Sequence, residues 1–421
     1  MQGSEMSNPR AIEEKEDKNE AALSEVIEID TGVINKETQE KANALASLTL
    51  AILLCAKNSN GELTPKYSIP TAIWLAHILP FLVSDVKTCH SMALVNTPVS
   101  LFFKKCLVDT RLAQLLQHIA YGQKEDAEKI IKSNPGLLLL SGPIVKDYAG
   151  REIQQYPYQM ALAAADVFVE FKNDVYQSDA QGEEMKEMIE RYCIELLGEE
   201  KGVAELERLR KMIFSDNFKE YVKQKRAEDL VVVTEMFNAI GVASSLNEDG
   251  LLEECGQALK KLKTHLEPKG IITTTTQGYH FDSQMLVQAF SLYDANFETF
   301  GNVWDSPKNQ FAWQKVIGLI QRYLTACDAM VLCQGPYHLV HNGEPFKRSL
   351  NFRVRGGVYF PLDADPAWSF GRNAAAGSVG ARARGRWQRG VSASLEILCR
   401  AKHRRCESPC NVQTITRRLG A

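Results

Sequence analysis

The sequence predicts a mainly α fold with a small β element near residue 355, and three observations carry that reading. Apolar residues recur at helical spacing between 179 and 241. Helix stop signals punctuate the centre of the chain, and strand signals are confined to Gly270 to Thr276 and Asn351 to Phe360. A chain of 421 residues, 45% of them apolar and 24% charged, can bury a substantial core in two or three domains.

Residues 1–40 hold eleven acids and four bases, which predicts a solvated acidic arm with little order. No basic start precedes an apolar core there, so a cleaved secretory signal is not expected. Two apolar runs follow, Ala42 to Ala56 and Ile69 to Val83. Each is short against the roughly 20 residues of a spanning helix, so both read as buried helices. The ten cysteines are scattered without a paired framework, as in reduced thiols of a cytoplasmic protein.

The segment 41–110 is expected to be helical. Pro70 can occupy a first helical turn without losing a hydrogen bond, and Ile73, Trp74, Ile78 and Leu82 recur as an apolar stripe. Through Ile69, Pro70, Ile73, Ile78, Leu79, Phe81, Leu82, Leu94, Val95 and Leu101-Phe102, the stretch Ile69 to Phe103 resembles an F-box. The resemblance implies docking of this stripe on a Skp-type adaptor of a cullin-RING ubiquitin ligase. Ala72 stands where that family usually has an acid, and Pro70 to Ile78 is one residue longer than usual. Helices that merely join the core are the alternative.

Residues 111–178 carry a second pattern. Gly122 is followed at +5 by Ala127 and at +8 and +9 by Ile130 and Ile131, with Glu125 and Asp126 suited to a first helical turn. Ser133-Asn134-Pro135-Gly136 stops that helix. Asp147 to Gly150 reads as a turn, and Pro157 with Tyr158, Met160 and Ala161 opens another helix. These features resemble about one and a half ankyrin units, where stable stacks need roughly three or more, and the Thr-Pro-Leu-His tetrapeptide is absent. The resemblance implies a protein-binding surface. A plain helical hairpin is the other reading.

In 179–295 we expect packed helices. Met185, Met188, Ile189, Tyr192, Cys193, Leu196 and Leu197 form an apolar face, and Glu183, Glu184, Lys186 and Glu187 form one expected to be solvated. Gly198 to Gly202 reads as a break before a helix over Ala204 to Ile213, with another over Asp229 to Gly241. In 296–365, Cys327, Cys333, His338 and His341 lie close in sequence but match no standard zinc spacing, and buried thiols beside loop histidines explain them better than a metal or nucleophilic site. No phosphate-binding loop occurs, no cofactor is indicated, and an enzyme is not expected.

Residues 366–421 differ from the rest, with ten Arg, one Lys and two acids, a net of +9, against −12 for residues 1–365. A basic tail for nucleic acid or anionic lipid is one reading. The favoured one is sequence foreign to the chain, from a shifted frame or insertion, with low order and no firm packing. His403, Cys406 and Cys410 add a faint metal signal.

An F-box-like segment followed by ankyrin-like units resembles ligase substrate receptors and the effectors that intracellular bacteria deliver into host cytoplasm. Trp313 to Asp365 is similar to a block shared among such bacterial proteins. The resemblance implies an interaction protein recruiting host targets for ubiquitination.

Overall fold

The computed structural model describes residues 97–167, 184–243, 253–273, 278–301, 306–352 and 387–410, with short pieces at 56–57, 63–64, 170–172, 175–177, 359, 412 and 415. The chain divides into two compact units, one of residues 1–115 with 130–143, the other of 116–129 with 144–421. The described residues are mainly helical, with a small sheet.

In the first unit, strands β1 (Ala56–Lys57) and β2 (Leu63–Thr64) pair antiparallel, Ala56 opposite Thr64. Apart from Ala56, the apolar run Ala42 to Ala56 lies outside the described residues. Helix α1 (Thr97–Ala120) runs on into the second unit, and α2 (Lys124–Ser133) returns to the first. Glu125 and Asp126 in the first turn of α2 and Lys132 in the last complement the helix dipole. A 3₁₀ turn, Pro135–Leu139, follows where Pro135 ends the helix, and it buries Leu137 and Leu138.

The second unit opens its sheet with β3 (Val145–Lys146) and β4 (Glu152–Gln154), an antiparallel pair joined by the Asp147 to Gly150 turn. β4 also pairs in parallel with β7 (Ile272–Thr273), Ile153 opposite Ile272. The strand expected around 270–276 is therefore the edge of a three-stranded sheet. The position near residue 355 falls outside the described residues, flanked by a hydrogen bond from Tyr359 N–H to the Leu350 carbonyl. A separate hairpin joins β5 (Glu170–Lys172) to β6 (Val175–Gln177).

Helix α3 (Pro157–Ala163) begins with Pro157 in its first turn and is buried along its length. α4 (Met185–Leu197) and α5 (Glu199–Ile213) pack against each other, separated by Gly198 at φ +80°. The expected break is thus confined to Gly198. Gly202 lies inside α5, where a Cβ would stand 2.8 Å from the Ile194 backbone, so its missing side chain lets the two helices touch. The helix expected from Asp229 begins earlier: α6 spans Phe218–Val242.

α6 packs on α7 (Glu253–Leu266) and α8 (Gln284–Asn296). Next come α9 (Pro307–Phe311), capped by Ser306 Oγ accepting from Asn309 N–H, a π-helical turn Ala312–Ile317, and α10 (Gly318–Gln321). α11 (Ala326–Gln334) starts on a Thr325 cap, and α12 (Pro336–Val340) follows Gly335. The last helix, α13 (Trp387–Glu407), packs on α8 and α12.

That last helix corrects the expectation of low order and no firm packing for residues 387–407; residues 366–386 lie outside the described residues. Leu395, Leu398, Cys399 and Cys406 are buried, and one apolar core joins Met236, Phe237, Phe290, Trp313, Ile317, Leu332 and Cys399. This core crosses the expected boundaries at 295 and 365. Leu398, Cys399 and Cys406 follow Leu395 by 3, 4 and 11 residues, the spacing that sets all four on one helix face. Among the described residues, no helix is long and apolar enough to cross a membrane.

Candidate functional site

The expected adaptor-binding residues Ile69, Pro70, Ile73, Ile78, Leu79, Phe81, Leu82, Leu94 and Val95 lie outside the described residues. The central pattern lies within them. Gly122, at φ +67°, ends α1 by a paired closure, its own N–H reaching the Ile119 carbonyl and that of Gln123 the His118 carbonyl. A Cβ at Gly122 would sit 3.0 Å from the Met330 methyl. Ala127, Ile130 and Ile131 are all buried on α2, as the spacing requires. Asp147 organises its turn: Oδ1 accepts from Ala149 and Arg151 N–H at 2.9 and 3.0 Å, and Oδ2 accepts from Arg151 Nε at 2.7 Å. Gly150, at φ +80°, completes it, and Arg151 Nη1 donates to the Tyr323 carbonyl at 2.6 Å.

The polar face of α4 is not solvated. Glu184, Lys186, Glu187 and Glu190 are buried, a correction with a definite cause. Arg405 of α13 donates from Nε to Glu184 at 3.2 Å and from Nη2 to Glu187. Glu190 accepts from the Tyr158 hydroxyl at 2.7 Å and lies 3.1 Å from Lys186 Nζ. Burial pushes the Glu184 carboxyl up to about 8, even against Arg405. Farther along α13, Lys402 donates to Asp328, whose other oxygen accepts from Ser283 Oγ. Burial opposes the Lys402 charge, but Asp328 beside it wins and holds the ammonium above its ordinary range. His403 stacks on Tyr279, ring centroids 4.2 Å apart, and accepts from Arg226 at 3.0 Å.

Cys327, Cys333, His338 and His341 do not converge. Burial pushes both thiols up to about 12, so neither is a ready nucleophile. His338 meets Asn342 and Glu344, and His341 bonds Ser394 Oγ at 3.1 Å. His403 and Cys406 are likewise occupied in packing. Among the described residues, no group of three or more His, Cys, Asp or Glu is placed to hold a metal.

A cleft of about 310 Å³ opens between α6, the end of α7 and residues 267–272 and 278–282. Buried Asp229 lies at its wall, with Oδ1 accepting from Lys225 Nζ and from His265 Nε2, the latter at 2.6 Å. His280 is buried behind it. Its Nε2 donates to Gln155 Oε1 at 2.8 Å, and burial pushes the ring down to about 3, so it is neutral. Sequence reading missed this constellation. Lys225 and Asp229 stand four apart, the spacing of a helical pair, but the expected helix began only at Asp229, and nothing in the sequence announced that His265 would join them. Comparisons with family models, with curated proteins and with solved structures find no match to this chain.

Proposed function

We propose that this chain is a protein-interaction scaffold whose central surface, presented by the polar side of α2, selects a partner protein. One observation carries the reading: Gly122 closes α1 in the left-handed conformation, and the small-aliphatic seam Ala127, Ile130 and Ile131 is buried on the helix that follows. In the ankyrin-like arrangement that seam faces the neighbouring unit, while the polar side remains for recognition. Glu125, Lys129 and Lys132 are exposed on α2.

On this reading, Ile69 to Phe103 recruits a Skp-type adaptor and the ankyrin-like surface presents the substrate, as a bacterial effector would do in host cytoplasm. The test is expression in a eukaryotic cell and recovery of adaptor and cullin with the chain, against a variant with Ile78 and Leu82 made polar. Recovery lost in that variant, with the helical signal retained, supports the ligase reading. No recovery with the parent chain removes the adaptor and leaves the scaffold, whose partner is then sought through the α2 face.

Binding of nucleic acid or anionic lipid through 366–421 is the weaker reading. Lys402 and Arg405 are engaged inside the fold with Asp328, Glu184 and Glu187, so they do not contribute to a phosphate-binding surface.

A further inference from the structure

We infer that the outward face of α6 is a self-association surface, on which a second copy of this chain lays its own α6 in parallel about a two-fold axis. This goes beyond the scaffold reading and does not depend on it. On its inner side α6 buries Val233, Met236, Phe237 and Ile240 in the core. On its outer side Leu230, Val231 and Val242 stand 43, 54 and 77% exposed. From 227 to 242 the exposed charges are Glu228 and Glu235, and both lie at the edge toward α7, Glu228 at the cleft and Glu235 beside Lys261 at 2.5 Å. The middle of the face is thus free of charge for about four helical turns, where a helix facing only water ordinarily carries charged residues.

Spacing decides what fits there. Ala227, Val231, Thr234, Asn238 and Gly241 follow one another by four, three, four and three residues, the alternation of a seam between two helices. The short side chains at 227, 234 and 241 let a facing helix come close, and Leu230 and Val242 cover its sides. Asn238 is exposed in the seam. Opposite its own counterpart its amide can both donate and accept, and a single polar residue at such a position fixes the register of the pair.

Charge selects a second copy and its direction. Lys223 and Glu228, five residues apart, flank the seam on opposite sides. In a parallel pair the two flanks meet with that same offset, so Lys223 of each copy faces Glu228 of the other and the contact forms twice. Neither residue is held elsewhere by a buried partner. Lys223 stands 3.7 Å from Glu220 with both side chains fully in solvent reach, and Glu228 accepts from Gln224 at 3.0 Å on the surface. An antiparallel pair would instead turn the flank of Glu228 and Glu235 against the same acids of the other copy.

The experiment is sedimentation equilibrium of the full chain over a roughly hundredfold range of concentration. The weight-average mass should rise from one chain toward two. Val231→Glu, which sets two like charges in the seam, should weaken association at least about tenfold. Lys223→Glu and Glu228→Lys should each weaken it about fivefold, and the double exchange should restore it. A contact within one helix cannot produce that pattern, because residues five apart do not face each other. All three positions are exposed, and unchanged far-ultraviolet dichroism identifies variants that remain folded. A mass of one chain at every concentration, association indifferent to Val231→Glu, or a double exchange that leaves the single losses in place would each overturn the proposal.

Discussion

Lys402 of α13 is buried against Asp328 of α11, which also accepts a hydrogen bond from Ser283 at the start of α8. One carboxylate thereby ties three helices, and its cation comes from a stretch whose composition differs from the rest of the chain. Lys402→Met leaves the Asp328 charge buried without its cation, which should cost about 3 to 5 kcal/mol. The double variant Lys402→Met with Asp328→Asn should recover part of that loss in urea unfolding, because the stranded charge is gone.

Removing residues 366–421 should unfold the 144–421 unit rather than trim a tail. The cut takes away Leu395, Leu398 and Cys399 from the apolar core together with Arg405 from Glu184 and Glu187. A truncated chain that keeps its cooperative thermal transition would contradict this.

Stability should pass through a plateau in pH. Glu184 goes from 4.5 unfolded to about 8 folded, so between those values the folded state holds a proton that the unfolded state has lost, and raising the pH costs stability. His280 goes from 6.5 to about 3, so between those values the unfolded state holds the extra proton, and lowering the pH costs stability. The two slopes oppose each other between 4.5 and 6.5. Above 6.5 Glu184 alone should remove about 1.4 kcal/mol per pH unit, and below 4.5 His280 alone should do the same. Urea midpoints measured across pH, with Glu184→Gln flattening the alkaline limb, check the assignment.

Gly202→Ala should destabilise by about 1 to 3 kcal/mol, because the new methyl meets the Ile194 backbone, which cannot swing aside as a side chain can. Gly256→Ala is the control. No heavy atom lies within 4 Å of its Cβ position, and helix propensity should make it neutral or stabilising.

The thiols of Cys327 and Cys333 should react with a soluble disulfide reagent far more slowly in the folded chain than in urea, since burial keeps both protonated and covered. Rapid native labelling of either residue, located by mass spectrometry, would contradict their placement.

What was legible in the sequence was local. The stops at Gly122 and Pro135 and the buried positions Met185, Met188, Ile189, Tyr192 and Cys193 of α4 rest on spacing and backbone chemistry, which a few neighbouring residues determine, whereas Leu196, expected on the same face, is exposed near the helix end. The opposite face of α4 was misjudged because charged residues read as solvent-facing unless a partner is known, and Arg405 lies 218 residues from Glu187. The cleft was illegible for the same reason: Lys225 and Asp229 share a helix, but His265 arrives from another, 36 residues beyond Asp229. The parallel pairing of Ile153 with Ile272 likewise has no signature in either segment alone.

The order in which the chain is made gives α13 a further meaning. A ribosome adding about 5 to 20 residues per second needs on the order of 10 to 40 s to travel from Glu187 to Arg405. Through that interval the acids of α4 have emerged without the helix that covers them, and part-way through it the apolar flank of α8 joins them uncovered. Any product that stops before α13 stays exposed to proteases, and the emergence of α13 becomes the event that permits folding of this unit.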